Sequence, residues 1–283
     1  MPSTIGARVI QKVLIAILLL SAGLVVVTTL VWTFQERIAF QPPAAGWPSV
    51  PAELRVDYRA DDGQALFGYI VGDRNAPNGL LLSFHGNADL AGWQIDWAEE
   101  LNRRTGVTVL LAEYRGYMGL NGRPSYGASR NDADAAYRFA VDSLRIPPNR
   151  IAFFGHSMGS AIAADLAARS SPAALILQAP FTSARDMAAR MTGYRPPNWL
   201  WRLISRLHYD TGALVTTIKA PVSVSHGGKD RLIPPTMGEA VFTAAKQKGQ
   251  WLLVPDAAHN DVEAVGEEAY WSWIKRALEP VIE

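Results

Sequence analysis

Residues 151–161 read IAFFGHSMGSA, with Gly155 and Gly159 two positions either side of Ser157. An apolar run leads in and a helix-forming stretch, MGSAIAADLAARS, follows. This setting suits a sharp strand-to-helix turn with Ser157 at its apex, where side chains two positions away would collide. Gly-x-Ser-x-Gly arises by chance on the order of 0.1 times in a chain of this length, so the strand–turn–helix context carries the argument rather than the motif alone. A serine hydroxyl does not ionise near neutral pH and needs a base before it attacks a carbonyl carbon. The chain has five histidines. His259 lies in the stretch LVPDAAHN, in a loop placed to reach Ser157, while His156 adjoins the serine and is expected to point away and pack. His85 (SFHGN), His208 and His226 (HGGKD) lie elsewhere. The base in turn needs a carboxylate to set its tautomer and stabilise the imidazolium. Asp230 closes VSVSHGGKD directly after an apolar run. Asp256 and Asp261 flank His259 too closely in sequence to orient it well, and Asp261 is expected to cap the last helix. The chemistry of such a set is acyl transfer through a covalent intermediate.

The elements that must position these residues alternate. Apolar runs at Gly79–Phe84, Val107–Ala112, Ile151–Phe154, Ala173–Leu177, Pro221–Ser225 and Trp251–Val254 read as strands. Helix-length stretches lie at Leu90–Arg103, Tyr126–Leu144, Met158–Ala168, Pro235–Lys248 and Glu263–Leu278. Continuous apolar strands between amphipathic helices describe a mostly parallel sheet with helices on both faces, an α/β class fold. In such sheets function gathers beyond the carboxyl ends of the strands, where Ser157, Asp230 and His259 all fall. Ahead of this alternation, Ala52–Tyr58 and Ala65–Val71 flank a turn and read as an antiparallel hairpin. Residues 184–217 interrupt the rhythm with Trp199, Leu200, Trp201, Leu203, Ile204 and Leu207 and are expected to form a small cap.

The order serine, acid, histidine is that of the α/β-hydrolases, and the chain resembles that superfamily, especially its membrane-anchored, serine-aminopeptidase-like branch. The stretches that carry the likeness are FHGNA (84–88), EYRGY (113–117), GRPS (122–125), GHSMGSA (155–161), APFTS (179–183), HGGKDRLIP (226–234) and AHND (258–261). The resemblance implies an α/β-hydrolase fold and an oxyanion hole formed by the backbone N–H groups of Asn87 and Met158. His85–Gly86 would brace the turn that carries Asn87. Met118 stands where relatives usually carry glycine, and relatives usually carry a serine near Leu120 and a glutamate near Tyr126, so substrate choice is the property in which this chain is expected to differ.

Composition narrows the function further. A formal net charge of +1 gives no surplus for nucleic acid, and the absence of cysteine removes thiol chemistry and thiolate metal sites. Neither a metal-binding motif nor a phosphate loop occurs, so no metal and no cofactor are expected. From Val13 to Phe34 no residue is charged. As a helix this run spans about 33 Å, enough for a hydrocarbon core of about 30 Å. It exceeds the apolar core of a cleavable signal peptide and is read as an uncleaved anchor. Arg8 and Lys12 precede it, so residues 1–12 are expected in the cytoplasm and the catalytic domain outside it, periplasmic in a Gram-negative cell. Residues 35–50 read as a linker and 51–283 as one domain. The resulting expectation is a membrane-anchored serine hydrolase acting on a small or lipid-like carboxylic ester or thioester. An amide or peptide hydrolase with the same residues is the alternative, and a non-catalytic binding protein the more distant one.

Overall fold

The computed structural model describes residues 4–76 and 78–282. Residues 1–3 of the expected cytoplasmic segment, with Pro77 and Glu283, lie outside them. A long helix, α1 (Thr4–Ala39), precedes an eight-stranded sheet. In chain order the sheet elements are β1 (Arg55–Arg59), β2 (Ala65–Val71), β3 (Leu80–Phe84), α2 (Ile95–Thr105), β4 (Thr108–Ala112), α3 (Tyr126–Arg138), β5 (Ile151–His156), α4 (Met158–Arg169) and β6 (Ala174–Gln178). Three short helices follow, α5 (Ala184–Thr192), α6 (Asn198–Ile204) and α7 (Thr211–Leu214). The chain closes with β7 (Val222–Gly227), α8 (Pro235–Ala244), β8 (Lys248–Val254), α9 (Val262–Ala277) and α10 (Glu279–Ile282).

The spatial order is β1-β2-β4-β3-β5-β6-β7-β8. The hairpin β1–β2 is antiparallel, β2 pairs antiparallel with β4, and every later pairing is parallel. Alternation of side chains across the sheet divides the apolar residues between two cores. Leu80, Leu82, Phe84 and Phe153 face the side covered by Ala161, Ile162 and Leu166 of α4. Leu81, Ala152, Phe154 and Ile176 face Leu101 of α2 and Tyr270, Trp273 and Ile274 of α9. Burial on both faces is why β3 to β6 read as largely apolar runs rather than alternating ones, whereas β7, VSVSHG, alternates although it is buried throughout.

Several boundaries differ from those read in the sequence. Ala52–Leu54 is a 3₁₀ turn and β1 begins only at Arg55. Tyr126–Leu144 is not one α-helix: past Arg138 it loosens into a π-helical turn, Phe139–Ser143. The last helix breaks at Glu267, whose φ of 44° is outside the helical range. The stretch 35–50 does not run free. Helix α1 continues through Ala39, Phe40 is buried in the core, Gln35 bonds Ile204 O and the Arg206 amide of the α6 region, and Trp47 lies against Gly119. Apolar residues and a few well-placed polar groups dock this stretch, although its proline content suggests an open linker. Over Arg8–Ala39 helix α1 is long and apolar enough to cross a membrane, and its most apolar stretch is not buried against the rest of the chain.

Behind EYRGY lies a buried charge cluster. Arg115 donates to Asp132 and Asp62, and the Asp132 carboxylate is almost wholly enclosed. Burial works to raise the Asp132 pKa, and the Arg115 guanidinium counters it. Arg115→Met would leave Asp132 buried without a counter-charge, so the variant is expected to lose about 3–5 kcal/mol of stability, measured by urea unfolding.

Candidate active site

The turn between β5 and α4 sets the site. Ser157 has φ 54° and ψ −116°, a conformation unusual for any residue but glycine. The flanking glycines have a steric reason. A Cβ on Gly159 would come to 2.0 Å from Phe84 O and 2.6 Å from His85 O, and one on Gly155 to 2.2 Å from Gly159 O. The turn is therefore pressed directly against the end of β3. Its other side is tied to β6 through the Ser157 amide, which donates to Gln178 O at 2.9 Å. Gly159→Ala cannot be accommodated by rotamer changes, because the obstructing atoms are backbone. It is expected to yield protein that is largely insoluble or melts well below the parent, measured by soluble yield and thermal unfolding.

The loops after β7 and β8 bring two more side chains to Ser157. His259 Nε2 lies 2.9 Å from Ser157 Oγ, and His259 Nδ1 lies 2.6 Å from Asp230 Oδ2. An ionised carboxylate only accepts, so Nδ1 donates to it, and in the neutral ring Nε2 is left as the acceptor for the serine hydroxyl. Asp230 is itself held on both oxygens. Oδ1 accepts from the Leu232 and Ile233 amides at 2.9 Å each, and Oδ2 also lies 3.3 Å from His226 Nε2. Burial opposes its charge, but bonds from His226, His259 and Ile233 outweigh that and hold its pKa well below the ordinary value. His226 completes a brace by donating Nε2–H to Ile233 O at 2.9 Å.

The structure brings Ser157, His259 and Asp230 together and leaves the other candidates apart. Asp256 is exposed and paired with Lys229 at 2.7 Å. Asp261 stands at the N-terminal end of α9, but its carboxylate does not bond the helix amides. It turns back to accept from the Ala258 amide at 2.5 Å, closing the loop that carries His259. His208 lies against Tyr126. His156 does point away from the serine hydroxyl, yet it packs on the base rather than in remote core. Its Nε2 donates to His259 O at 3.2 Å and its ring lies 5.2 Å from that of His259. Burial and the neighbouring His259 lower its pKa, so it stays neutral there.

Asn87 and Met158 flank the same turn. Met158 opens α4, where the first amides of a helix have no acceptor within it. Within the described residues no hydrogen bond engages the backbone amide of Asn87 or Met158. The Asn87 side chain is anchored three ways: Nδ2 donates to Ala39 O at 2.7 Å, and Oδ1 accepts from the Gln41 amide at 2.8 Å and Tyr117 OH at 3.0 Å. Behind it, His85 lies between Gly86 O and Glu113 Oε1, each at 2.8 Å. Burial disfavours a charged His85, but the Glu113 carboxylate more than offsets this and lifts its pKa. Tyr114 OH donates to His85 O at 2.9 Å. Glu113, Tyr114 and Tyr117 all belong to EYRGY, a stretch that spacing alone does not connect to the serine. His226 was visible in HGGKD, but its role as a second imidazole on Asp230 needed the fold of the β7–α8 loop.

With this geometry in place, the comparisons with known proteins are specific. The family described as "Serine aminopeptidase, S33" matches residues 75–212, a range that includes Asn87 and Ser157 and ends before Asp230 and His259. An uncharacterised protein of Mycobacterium tuberculosis is 34% identical, over 89% of this chain and 90% of its own. The human α/β-hydrolase domain-containing protein 17B is 30% identical over 69% of this chain and 65% of its own. Among solved structures, an esterase of Pyrococcus furiosus superposes with a TM-score of 0.70 at 20% identity, over 86% of this chain and 98% of that one. By sequence the chain belongs to the α/β-hydrolase superfamily, and the solved esterase structure shares its fold.

Proposed function

We propose that this hydrolase-family chain is a serine hydrolase that cleaves carboxylic esters or thioesters through an acyl-enzyme, with Ser157 as nucleophile, His259 as base and Asp230 as its partner. The observation that carries the reading is the continuous relay from Ser157 Oγ through His259 to Asp230. As Oγ attacks the carbonyl carbon, its proton passes to His259 Nε2. The carbonyl oxygen takes the negative charge, facing the Asn87 and Met158 amides. Collapse expels the leaving group, which takes the proton from Nε2. Water then gives a proton to Nε2 as it attacks the acyl-enzyme; the acid departs as the C–Oγ bond breaks, and Oγ takes the proton back from Nε2 to restore Ser157 and the neutral His259. Asp230 supports the imidazolium in both halves. It remains a carboxylate throughout, since its pKa lies below the ordinary range.

Esters rank above amides because their leaving groups depart without strong protonation. The esterase names of solved neighbours, from Pyrococcus furiosus and the "Bacterial Heroin Esterase", agree with this ranking. The aminopeptidase description of the matching family supports the second reading, hydrolysis of an amide. Purified protein assayed on nitrophenyl esters of graded acyl length and on aminoacyl nitroanilides separates the two. Faster turnover of the anilides would overturn the ester reading, and no turnover of either class would overturn both.

Helix α1 serves in this reading as a single-pass anchor, with Arg8 and Lys12 on the cytoplasmic side and the catalytic domain beyond the membrane. A reporter fused after Glu283 is expected to behave as extracytoplasmic, and cytoplasmic reporter activity would reverse the topology.

The three bonds to the Asn87 side chain supply a further test. Asn87→Ala keeps the backbone amide but releases the loop from Ala39, Gln41 and Tyr117. An oxyanion donor displaced by a fraction of an ångström loses much of its effect, so kcat is expected to fall about 10²-fold. KM should change little, because the contact matters most when charge develops on the carbonyl oxygen. A raised KM with kcat unchanged would instead assign Asn87 to substrate binding.

A further inference from the structure

Where the apolar run of α1 gives way to charged residues, a cavity of about 750 Å³ opens between the helix and the domain. Three arginines line it, Arg37 from α1, Arg123 from the loop before α3 and Arg206 from the loop after α6, beside the aromatic side chains of Phe34 and Phe40. The single carboxylate in the lining, Glu36, is already engaged: it pairs with Arg206 at 2.7 Å and accepts from the Tyr126 amide at 3.2 Å. Arg206 also stands over the Trp32 ring at 5.0 Å. Arg37 and Arg123 have no hydrogen-bond, ion-pair or ring partner among the described residues, and both are exposed. Three positive charges against one negative leave the cavity with an excess of two.

Its position relative to α1 indicates a ligand. At about 1.5 Å per residue, Glu36 and Arg37 lie only about 3–5 Å beyond Phe34, the last residue of the apolar run. With α1 in a bilayer, that is the level of the lipid phosphates, and Trp32 and Phe34 fall at the edge of the acyl chains. Arginine presents a planar fork of donors that matches phosphate oxygens. Cations at headgroup level with aromatic surface on the bilayer side suit an amphiphile whose phosphate carries one negative charge.

We propose that this cavity binds the phosphate group of an anionic phospholipid, with Arg37 and Arg123 as its direct ligands and Arg206 completing the charge. The proposal rests on the reading of α1 as a membrane span. Gln41 also lines the cavity while its amide bonds Asn87, so activity alone would mix two effects and is not the readout.

The test uses the full chain in detergent, with native mass spectrometry counting lipids retained from an equimolar mixture of phosphatidylglycerol and phosphatidylcholine. The parent protein is expected to retain phosphatidylglycerol over phosphatidylcholine by about tenfold, the scale of one or two charge-assisted bonds. The double variant Arg37→Gln, Arg123→Gln should lose that preference. Arg202→Gln, an exposed arginine of α6 outside the cavity lining, should keep it. Adding inorganic phosphate distinguishes the source of the anion. Unchanged retention supports the lipid, whereas displacement of the lipid by inorganic phosphate, itself retained by the parent and not by the double variant, would assign the site to a soluble phosphate and overturn the lipid proposal. Equal retention of both lipids, or a preference that survives in the double variant, would overturn the site. The anchor reading is checked separately by alkaline carbonate extraction of membranes: a chain that remains in the pellet supports the span, and release into the wash would overturn it whatever lipids are retained.

Discussion

Ser157→Ala is expected to lower turnover of any ester substrate by about 10⁴- to 10⁶-fold while leaving the fold intact. In the proposed mechanism the effect is large because the hydroxyl is the group through which the His259–Asp230 pair acts. Without it the pair can at most activate water, and no covalent intermediate forms. Stability should change little. The side chain is small, and alanine keeps the Ser157 amide that bonds Gln178 O. A fluorophosphonate probe gives the same result independently of the natural substrate, since its phosphorus is attacked by Oγ and its phosphoryl oxygen takes the place of the oxyanion. The parent should label at this one serine, His259→Ala should label far more slowly, and Ser157→Ala should not label. Ser160 is the internal control. It is fully buried, and its Oγ donates to Ser157 O at 2.5 Å, so Ser160→Ala should cost about 1 kcal/mol of stability yet still take up the probe on Ser157. Labelling that persists in Ser157→Ala would remove this serine from the role of nucleophile.

Asp230→Asn is expected to cost about 10⁴-fold in turnover, nearly as much, through the tautomer of His259 rather than through its position. The Leu232 and Ile233 amides both point at Oδ1, so the carbonyl oxygen of the asparagine must take that place. Its NH₂ group then faces His259 Nδ1 where a carboxylate oxygen stood. A donor there forces Nδ1 to accept, and the ring proton moves to Nε2, opposite Ser157. The base is then blocked without any loss of geometry. Asp256→Asn changes only an exposed pair with Lys229 and should alter turnover by less than about threefold. A reversal of these two effects would move the acid role to Asp256.

The same carboxylate makes a pH-dependent contribution to stability. Its pKa is lower in the folded chain than the ordinary 3.8, so its stabilisation is complete above about pH 4–5 and is lost as pH falls through the folded value. The stability difference between parent and Asp230→Asn should therefore narrow as pH falls below about 4. Urea unfolding at a series of pH values measures this, and a widening gap would contradict the lowered pKa.

The division between sequence and tertiary structure follows from how local each constraint is. The parallel sheet was legible because burial on both faces demands apolar runs of strand length, which Leu80–Phe84 and Ile151–Phe154 display without reference to anything distant. The turn at Ser157 was legible for the same reason, since Gly155 and Gly159 sit within two residues of the strained position they permit. Strand ends then placed Asp230 and His259, because a residue just past a parallel strand must lie on the same edge of the sheet as Ser157. Interactions between distant segments left no local trace. Asp261 satisfied the sequence rule for a helix cap, yet its oxygen finds a nearer donor in the Ala258 amide once the His259 loop folds. The place of His156 beside the serine argues for packing, but only the fold shows that it packs on His259. The break at Glu267 interrupts a stretch whose composition is helical throughout. The largest gap concerned 35–50, where prolines and small residues argue for an open linker. The tertiary structure instead sets Ala39 and Gln41 against Asn87, because two backbone groups and a side-chain amide some 46–48 positions away satisfy one another there. Propensity and periodicity act over a few residues, whereas hydrogen bonds of that kind depend on which surfaces the completed sheet brings within 3 Å.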